Sequence, residues 1–261
     1  VDSPDFTERE QQLAAVYDKM HAARETATIV SDLYAQAMGD VYPHEINAAG
    51  AVDWPLIATI VGALRLEPGH QLVDLGCGTG GIGLWLARAL ATHVTGVDIS
   101  ATAVRIATGR AREFVPAERA RFTVGSLRAT GLPDRHANGL VCVDALGCEL
   151  DRAAALREIY RILRPGARAV VTSGRRRTNP VLPPWPEQAA YAGLICEAEE
   201  ERPHEPLLWQ RLYWLWIEHE TDLRKQLGDE PTDSMLIEAR TRGATLDDRC
   251  SLAVTLRRPE E

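Results

Sequence analysis

The sequence predicts an α/β fold built on a doubly wound, mostly parallel sheet, on three observations. Short apolar runs alternate with helical patterns from about residue 70 to 173. The first run leads straight into a glycine cluster, Gly76-Cys-Gly-Thr-Gly-Gly-Ile-Gly83, where a helical pattern begins. Carboxylates, Asp98 and Asp144, stand at the ends of the second and fourth runs. Regular alternation of strand and helix signals makes parallel strands with helices on both faces. Ligands on such sheets sit outside the carboxyl ends of the strands, at the switch point. The site is therefore expected at 76–83, Asp98, 125–127 and 144–149.

Each element has a local reason. Residues 1–6 are expected to fray. Thr7-Glu-Arg-Glu10 is a capping box that starts a helix. Leu13, Val16, Tyr17 and Met20 recur at helical spacing, a stripe expected to run to about residue 37 before Gly39 and Pro43 break it. This segment either packs along the domain edge or covers the ligand, with Tyr17, Tyr42, His44 and Glu45 near the mouth. Leu56 to Leu66 is a second helix, ended by Glu67-Pro-Gly69. Strand one follows at 70–75, then a helix at about 80–91. Strands are expected at 93–98, 121–124, 139–144 and 167–172, with helices at 101–114 and from Asp151 to Leu163. Beyond strand five come an Arg- and Pro-rich loop at 175–186, a short helix at 187–193 and a sixth strand at 194–199. A single long helix is expected at 205–227, another at 234–242, and a last strand at 250–256. The chain thus divides into a helical cover (1–66), a core (67–202), a helical insertion on the substrate side (203–249), and a last strand with its tail (250–261).

Composition excludes several partners. In 261 residues, 37 Asp and Glu against 29 Lys and Arg leave a net charge of −8, and the longest basic block is Arg175-Arg-Arg177. No nucleic-acid partner is expected from that balance. No apolar run approaches the roughly 18 residues that span a membrane, so no membrane partner is expected. Five cysteines without CxxC spacing fit reduced thiols, and the opening Val-Asp-Ser-Pro-Asp is too polar for a secretory leader. Both point to the cytoplasm. The seven histidines show no pair at ligand spacing, so no metal is expected.

Gly76-x-Gly78-x-x-Gly81, with Asp98 about twenty residues on, satisfies the fingerprint of a dinucleotide-binding loop. Three features argue for another nucleoside. Asp74, two residues before the first glycine, would repel a pyrophosphate but could hold a cationic amino group, directly or through water. The glycines suit a ligand chain lying against bare backbone. A second mononucleotide-binding half is missing after residue 166.

Val73-Asp-Leu-Gly-Cys-Gly-Thr-Gly80, Val97-Asp-Ile-Ser100, Gly131-Leu-Pro133, Val143-Asp-Ala145 and Ile162-Leu-Arg-Pro-Gly166 together resemble the ordered motifs of class I S-adenosylmethionine-dependent methyltransferases. The N-terminal cover and late insertion resemble the small-molecule methyltransferases of actinobacterial secondary metabolism. The resemblance implies a Rossmann-like, seven-stranded sheet whose last strand is antiparallel and inserted between its neighbours. It implies that Asp74, Gly76, Gly78 and Gly80 hold the methionine moiety and that Asp98 accepts both ribose hydroxyls. Ile99 would pack on the adenine. Ser126 and Leu127 occupy the place where the family often has an acidic residue meeting the adenine amino group. Asp144 and Ala145 would end strand four beneath the sulfonium.

Methyl transfer from a sulfonium requires alignment and exclusion of water, and needs a base only if the acceptor loses a proton as it attacks. His44, Glu149, His204 and His219 are the candidates near the predicted mouth. Trp209, Tyr213 and Trp216 share one helix face, with His219 a turn on. They form either an aromatic wall for a planar or hydrophobic acceptor or a stripe that docks the insertion. The leading expectation is methyl transfer to a small hydrophobic or aromatic natural product at O, N or C, with S-adenosylhomocysteine as the other product. The alternative is a cyclase or pericyclase that binds the cofactor without transferring its methyl. An NAD-dependent oxidoreductase and a non-enzymatic binding module are weaker readings. The 203–249 insertion could also pair two copies as a homodimer.

Overall fold

A computed structural model describes residues 6–48, 50–149, 151–179 and 181–260; of the stretch expected to fray, residues 1–5 lie outside them. The chain opens on helices α1 (Glu8–Arg24), α2 (Ile29–Met38) and α3 (Trp54–Leu64). The core then runs through β1 (Gln71–Leu75), α4 (Gly81–Ala89), β2 (His93–Asp98), α5 (Ala101–Phe114), β3 (Ala120–Val124) and β4 (Ala137–Cys142). It continues with α6 (Arg152–Ile162), β5 (Leu163–Arg176), α7 (Trp185–Tyr191) and β6 (Ile195–Glu201). Three helices, α8 (Glu205–Glu218), α9 (Glu220–Leu227) and α10 (Asp229–Gly243), precede the last strand, β7 (Arg249–Arg257).

The strands form a seven-stranded sheet in the order β3-β2-β1-β4-β5-β7-β6. β7 runs antiparallel to both its neighbours, and the other pairings are parallel. The chain winds outward from β1 to β3, then returns to lay β4 on the other side of β1. That reversal places the switch point over the carboxyl ends of β1 and β4, beside the glycine loop. β1 is buried from Leu72 to Leu75, with apolar clusters on both faces of the sheet. A third cluster fills a separate helical layer built from α2, α8, α9 and α10.

Three elements depart from expectation. The first helix stops at Arg24 and a new one begins at Ile29. α1 is polar almost all round, burying Glu10 and His21 while Val16 stays 61% exposed, whereas α2 buries six apolar residues. α1 lies over a cavity and α2 packs into a core, so the chain turns between them. The expected 205–227 helix breaks at His219, and the kink lets α8 and α9 both lay buried leucines on the helical layer with α2. β5 runs on to Arg176 because β7 supplies antiparallel partners from Arg168 to Arg176. Among the described residues no helix is long and apolar enough to cross a membrane.

Candidate functional site

The glycine loop is bent by its own backbone. Gly76, Gly78 and Gly80 all take positive φ, of 75°, 51° and 79°. Gly76 and Cys77 donate their N–H groups to the Val97 carbonyl at 2.8 and 3.1 Å, which ties the turn to β2. A Cβ at Gly76 would collide with that of Ala145, and one at Gly80 would lie 2.9 Å from Ala107. At Gly78 the nearest atom would be His21 Cε1, 3.8 Å away. Gly76 and Gly80 thus serve packing, while Gly78 leaves backbone bare toward open space.

Two carboxylates flank this loop with different partners. Asp98 Oδ2 accepts from the Gly78 N–H at 2.7 Å, and Oδ1 from the Ser100 N–H at 2.9 Å. Burial raises its carboxyl above the usual range, and these backbone bonds oppose the rise. Asp74 is 1% exposed, and its Oδ2 accepts from the Gly83 N–H in the first turn of α4 at 2.9 Å. Burial pushes its carboxyl up to about 7. Asp74 does not line the cavity described next, and its carboxylate braces the α4 N-terminus.

A cavity of about 310 Å³ opens beneath α1, over the carboxyl ends of the first four strands. Of the residues expected in the site, Gly76, Gly78, Asp98, Ile99, Ser126, Leu127, Asp144, Ala145, Glu149 and Tyr17 line it. Tyr17 reaches across to Cys148, with its hydroxyl 3.1 Å from the thiol. Other expected residues lie elsewhere. His44 and Tyr42 sit in a separate shallow groove beside Trp54, the two rings 4.8 Å apart. His219 stands at the α8–α9 kink, 3.6 Å from Asp222. Trp209, Tyr213 and Trp216 do not line the cavity. They pack into the helical layer, Trp216 at 2% exposure, with Tyr213 donating to Glu238 at 3.0 Å and Trp209 to Glu205 at 2.8 Å. Trp209 meets the edge of Tyr34, and it is Tyr34 that reaches the cavity. The aromatic wall is set one layer back because burying three large rings between helices removes more apolar surface from water than lining a cavity would.

Asp144 is another carboxylate lining the cavity. Its φ is 54°, a left-handed conformation uncommon for a non-glycine residue. Its Oδ2 accepts from the Ala51 N–H at 3.2 Å and its Oδ1 from the Thr172 hydroxyl at 3.1 Å. Any side chain at Gly50 would strike it. Its surface is open to the cavity although protein encloses it on the other sides. Burial raises its carboxyl, Arg202 and Arg249 pull it back, and Glu205 adds to the rise.

The sequence reading missed His21, Arg24, Tyr34 and Cys148 as cavity residues. His21 and Arg24 continue the Tyr17 face at helical spacing. Extending that stripe by polar residues, rather than following only apolar ones, would have found both. Tyr34 carries no local signal, because α2 reaches the cavity only through the turn at 25–28. Among the described residues no group of three or more His, Cys, Asp or Glu side chains could hold a metal ion.

Comparison with known proteins gives matches in sequence and in fold. Residues 72–166 match a family described as a methyltransferase domain. An O-methyltransferase of Penicillium expansum, cnsE, is 33% identical over 110 residues, 41% of this chain and 40% of that protein. The 27-O-demethylrifamycin SV methyltransferase of Amycolatopsis mediterranei is 31% identical over 143 residues, 55% of this chain and 48% of its own. The matched stretch spans about half or less of these relatives' length. Among solved structures, the [4+2]-cyclase SpnF superposes with a TM-score of 0.75 at 22% identity, covering 97% of both chains. The geranyl diphosphate C-methyltransferase of Streptomyces coelicolor A3(2) gives 0.67 at 16% identity, covering 98% of this chain and 100% of its own. At such identities the structural likeness is one of fold.

Proposed function

We propose that this chain, whose residues 72–166 match a methyltransferase domain family, binds S-adenosylmethionine and transfers its methyl group to a hydroxyl on a small apolar natural product. One observation carries the reading: a single cavity is lined both by the glycine loop and Asp98 and by Val30, Tyr34, Val52 and Asp144. The nucleoside and an acceptor would share one enclosure.

The residues present suit the cofactor. Asp98 has a lone pair left on each oxygen after its two backbone bonds, enough to accept from both ribose hydroxyls. Ile99 and Leu127 offer apolar surface to the adenine, Ser126 an acceptor to its amino group, and the bare Gly78 backbone a bed for the methionine chain. Bound there, the cofactor supplies an electrophilic methyl group on a sulfonium. α1 roofs the cavity and keeps water from it. Asp144 would accept the proton of the attacking hydroxyl at a carboxylate oxygen. His219 and His44 do not reach the cavity, and Glu149 borders it near the mouth.

In this reading residues 1–66 are the cover, 67–202 the cofactor core and 250–261 the closing strand. The 203–249 insertion acts on the acceptor by holding Tyr34 in place rather than by touching it. Calorimetry with S-adenosylmethionine tests the premise, and absence of heat at millimolar ligand would overturn it.

A second reading has a specific motive, since a [4+2]-cyclase shares the fold over nearly its whole length. The protein would then bind the cofactor and close a ring without spending the methyl. Accumulation of S-adenosylhomocysteine during turnover supports transfer, and turnover without it supports cyclisation.

A further inference from the structure

Two arginines line the cavity, Arg24 and Arg110, and they are differently engaged. Arg110 spends its guanidinium on the Thr79 carbonyl and hydroxyl, each at 3.0 Å, and on the Ile46 carbonyl at 3.1 Å. Arg24 has no hydrogen-bond or ion-pair partner among the described residues. It is half-buried, and its neighbours in charge are His21 and Tyr34. Burial first, and then Arg24, hold the His21 imidazole down at about 4, so His21 is neutral and Arg24 is the free cation of this wall.

α1 is pinned in a way that fixes where Arg24 stands. Asp18 accepts from the Ser100 hydroxyl at 2.6 Å and the Thr102 N–H at 2.8 Å, and Glu25 grips Arg105 with both oxygens. Between those anchors His21 lies over Gly78, and Arg24 follows one turn later toward Tyr34. The helix therefore carries an unpaired guanidinium into the cavity that the bare Gly78 backbone also lines. An amino-acid tail lying on that loop brings an α-carboxylate, and Asp74, with no open surface, offers it nothing.

Taking the cofactor reading above as premise, we propose that Arg24 is the anion site of the cavity and binds the α-carboxylate of the cofactor's amino-acid tail, fastening α1 over it. A planar fork of donors suits a carboxylate, and a charge-assisted pair in a sheltered cavity is stronger than one at the surface. The same chemistry would suit a carboxylate on the acceptor, and Arg24 in the last turn of α1 could merely complement that helix's dipole. The test separates these.

Wild type and Arg24→Met are titrated by calorimetry with S-adenosylmethionine and with its decarboxylated form, which lacks only the carboxylate. Wild type is expected to favour the intact cofactor by about tenfold or more. Arg24→Met should remove that preference and leave the affinity for the decarboxylated form unchanged. Equal weakening toward both ligands would assign Arg24 a structural role and overturn the proposal. So would an undiminished preference, which would leave Arg24 to the acceptor or to the helix end. Wild type that binds neither nucleoside would overturn the proposed function itself, and this inference with it.

Discussion

Asp98 holds Gly78 and Ser100 by their N–H groups and faces the cavity with its remaining lone pairs. In the proposed reading it accepts from two ribose hydroxyls, so Asp98→Ala should weaken cofactor binding by about 100-fold or more in calorimetry, while unfolding stays cooperative. Asp74 calls for a different measurement. Its folded carboxyl is raised to about 7 from 3.8, chiefly by burial. The folded state therefore holds this proton more tightly than the unfolded one. The group costs no stability below about pH 3.8 and an increasing amount as pH rises to 7. Asp74→Asn keeps an acceptor for Gly83, so it should raise the melting temperature above pH 7 and change it little near pH 4. Both carboxylates were legible in the sequence as positions. Their division of labour was not, because it depends on which of two neighbouring aspartates still has surface once α4 and α5 are packed.

The helices tell the two halves of the molecule apart. α1 is held by polar contacts, chief among them Glu10, whose carboxylate meets Arg128 at 2.6 Å and is drawn down to about 2, first by that guanidinium. A lowered folded value means that this stabilisation is full above pH 4.5 and is lost as pH falls toward 2. Amide exchange across α1 should accordingly lose protection in that window before the sheet does. α8 is held by apolar burial instead. Trp216 is 2% exposed and packs on Trp209 and Tyr213, so Trp216→Ala should cost about 3–5 kcal/mol in denaturant unfolding. Cofactor affinity should stay within about threefold of wild type, since no atom of Trp216 lines the cavity. The spacing of Trp209, Tyr213 and Trp216 marked one apolar face in the sequence, but spacing does not say whether that face meets a ligand or α2 and α10. Likewise, the capping box at Thr7 announced where α1 begins. Its end at Arg24 was hidden, since the 25–28 break serves the packing of α2 and no local breaker residue marks it.

At the scale of the whole molecule, the proposed cofactor site draws on the first helix, three strand ends and the loop after β4, so occupancy should be felt globally. S-adenosylhomocysteine at about 100 times its dissociation constant should stabilise the fold by about 2.7 kcal/mol and raise the melting temperature by about 5–10 °C in a thermal-shift assay. By itself the sequence determined the order of the strands and of the helices between them, the glycine turn and the acidic end of β2. These are local matters: a turn that needs positive φ, a cap or an apolar period is decided by residues within a few positions of one another. Only the tertiary structure decided which residues face the cavity. It turned Asp74 inward, drew Trp209, Tyr213 and Trp216 into a helical core, and brought Arg24 and Tyr34 to the cavity that Asp144 also lines. Those outcomes follow from burying apolar area between elements far apart in sequence, which no short window of residues encodes.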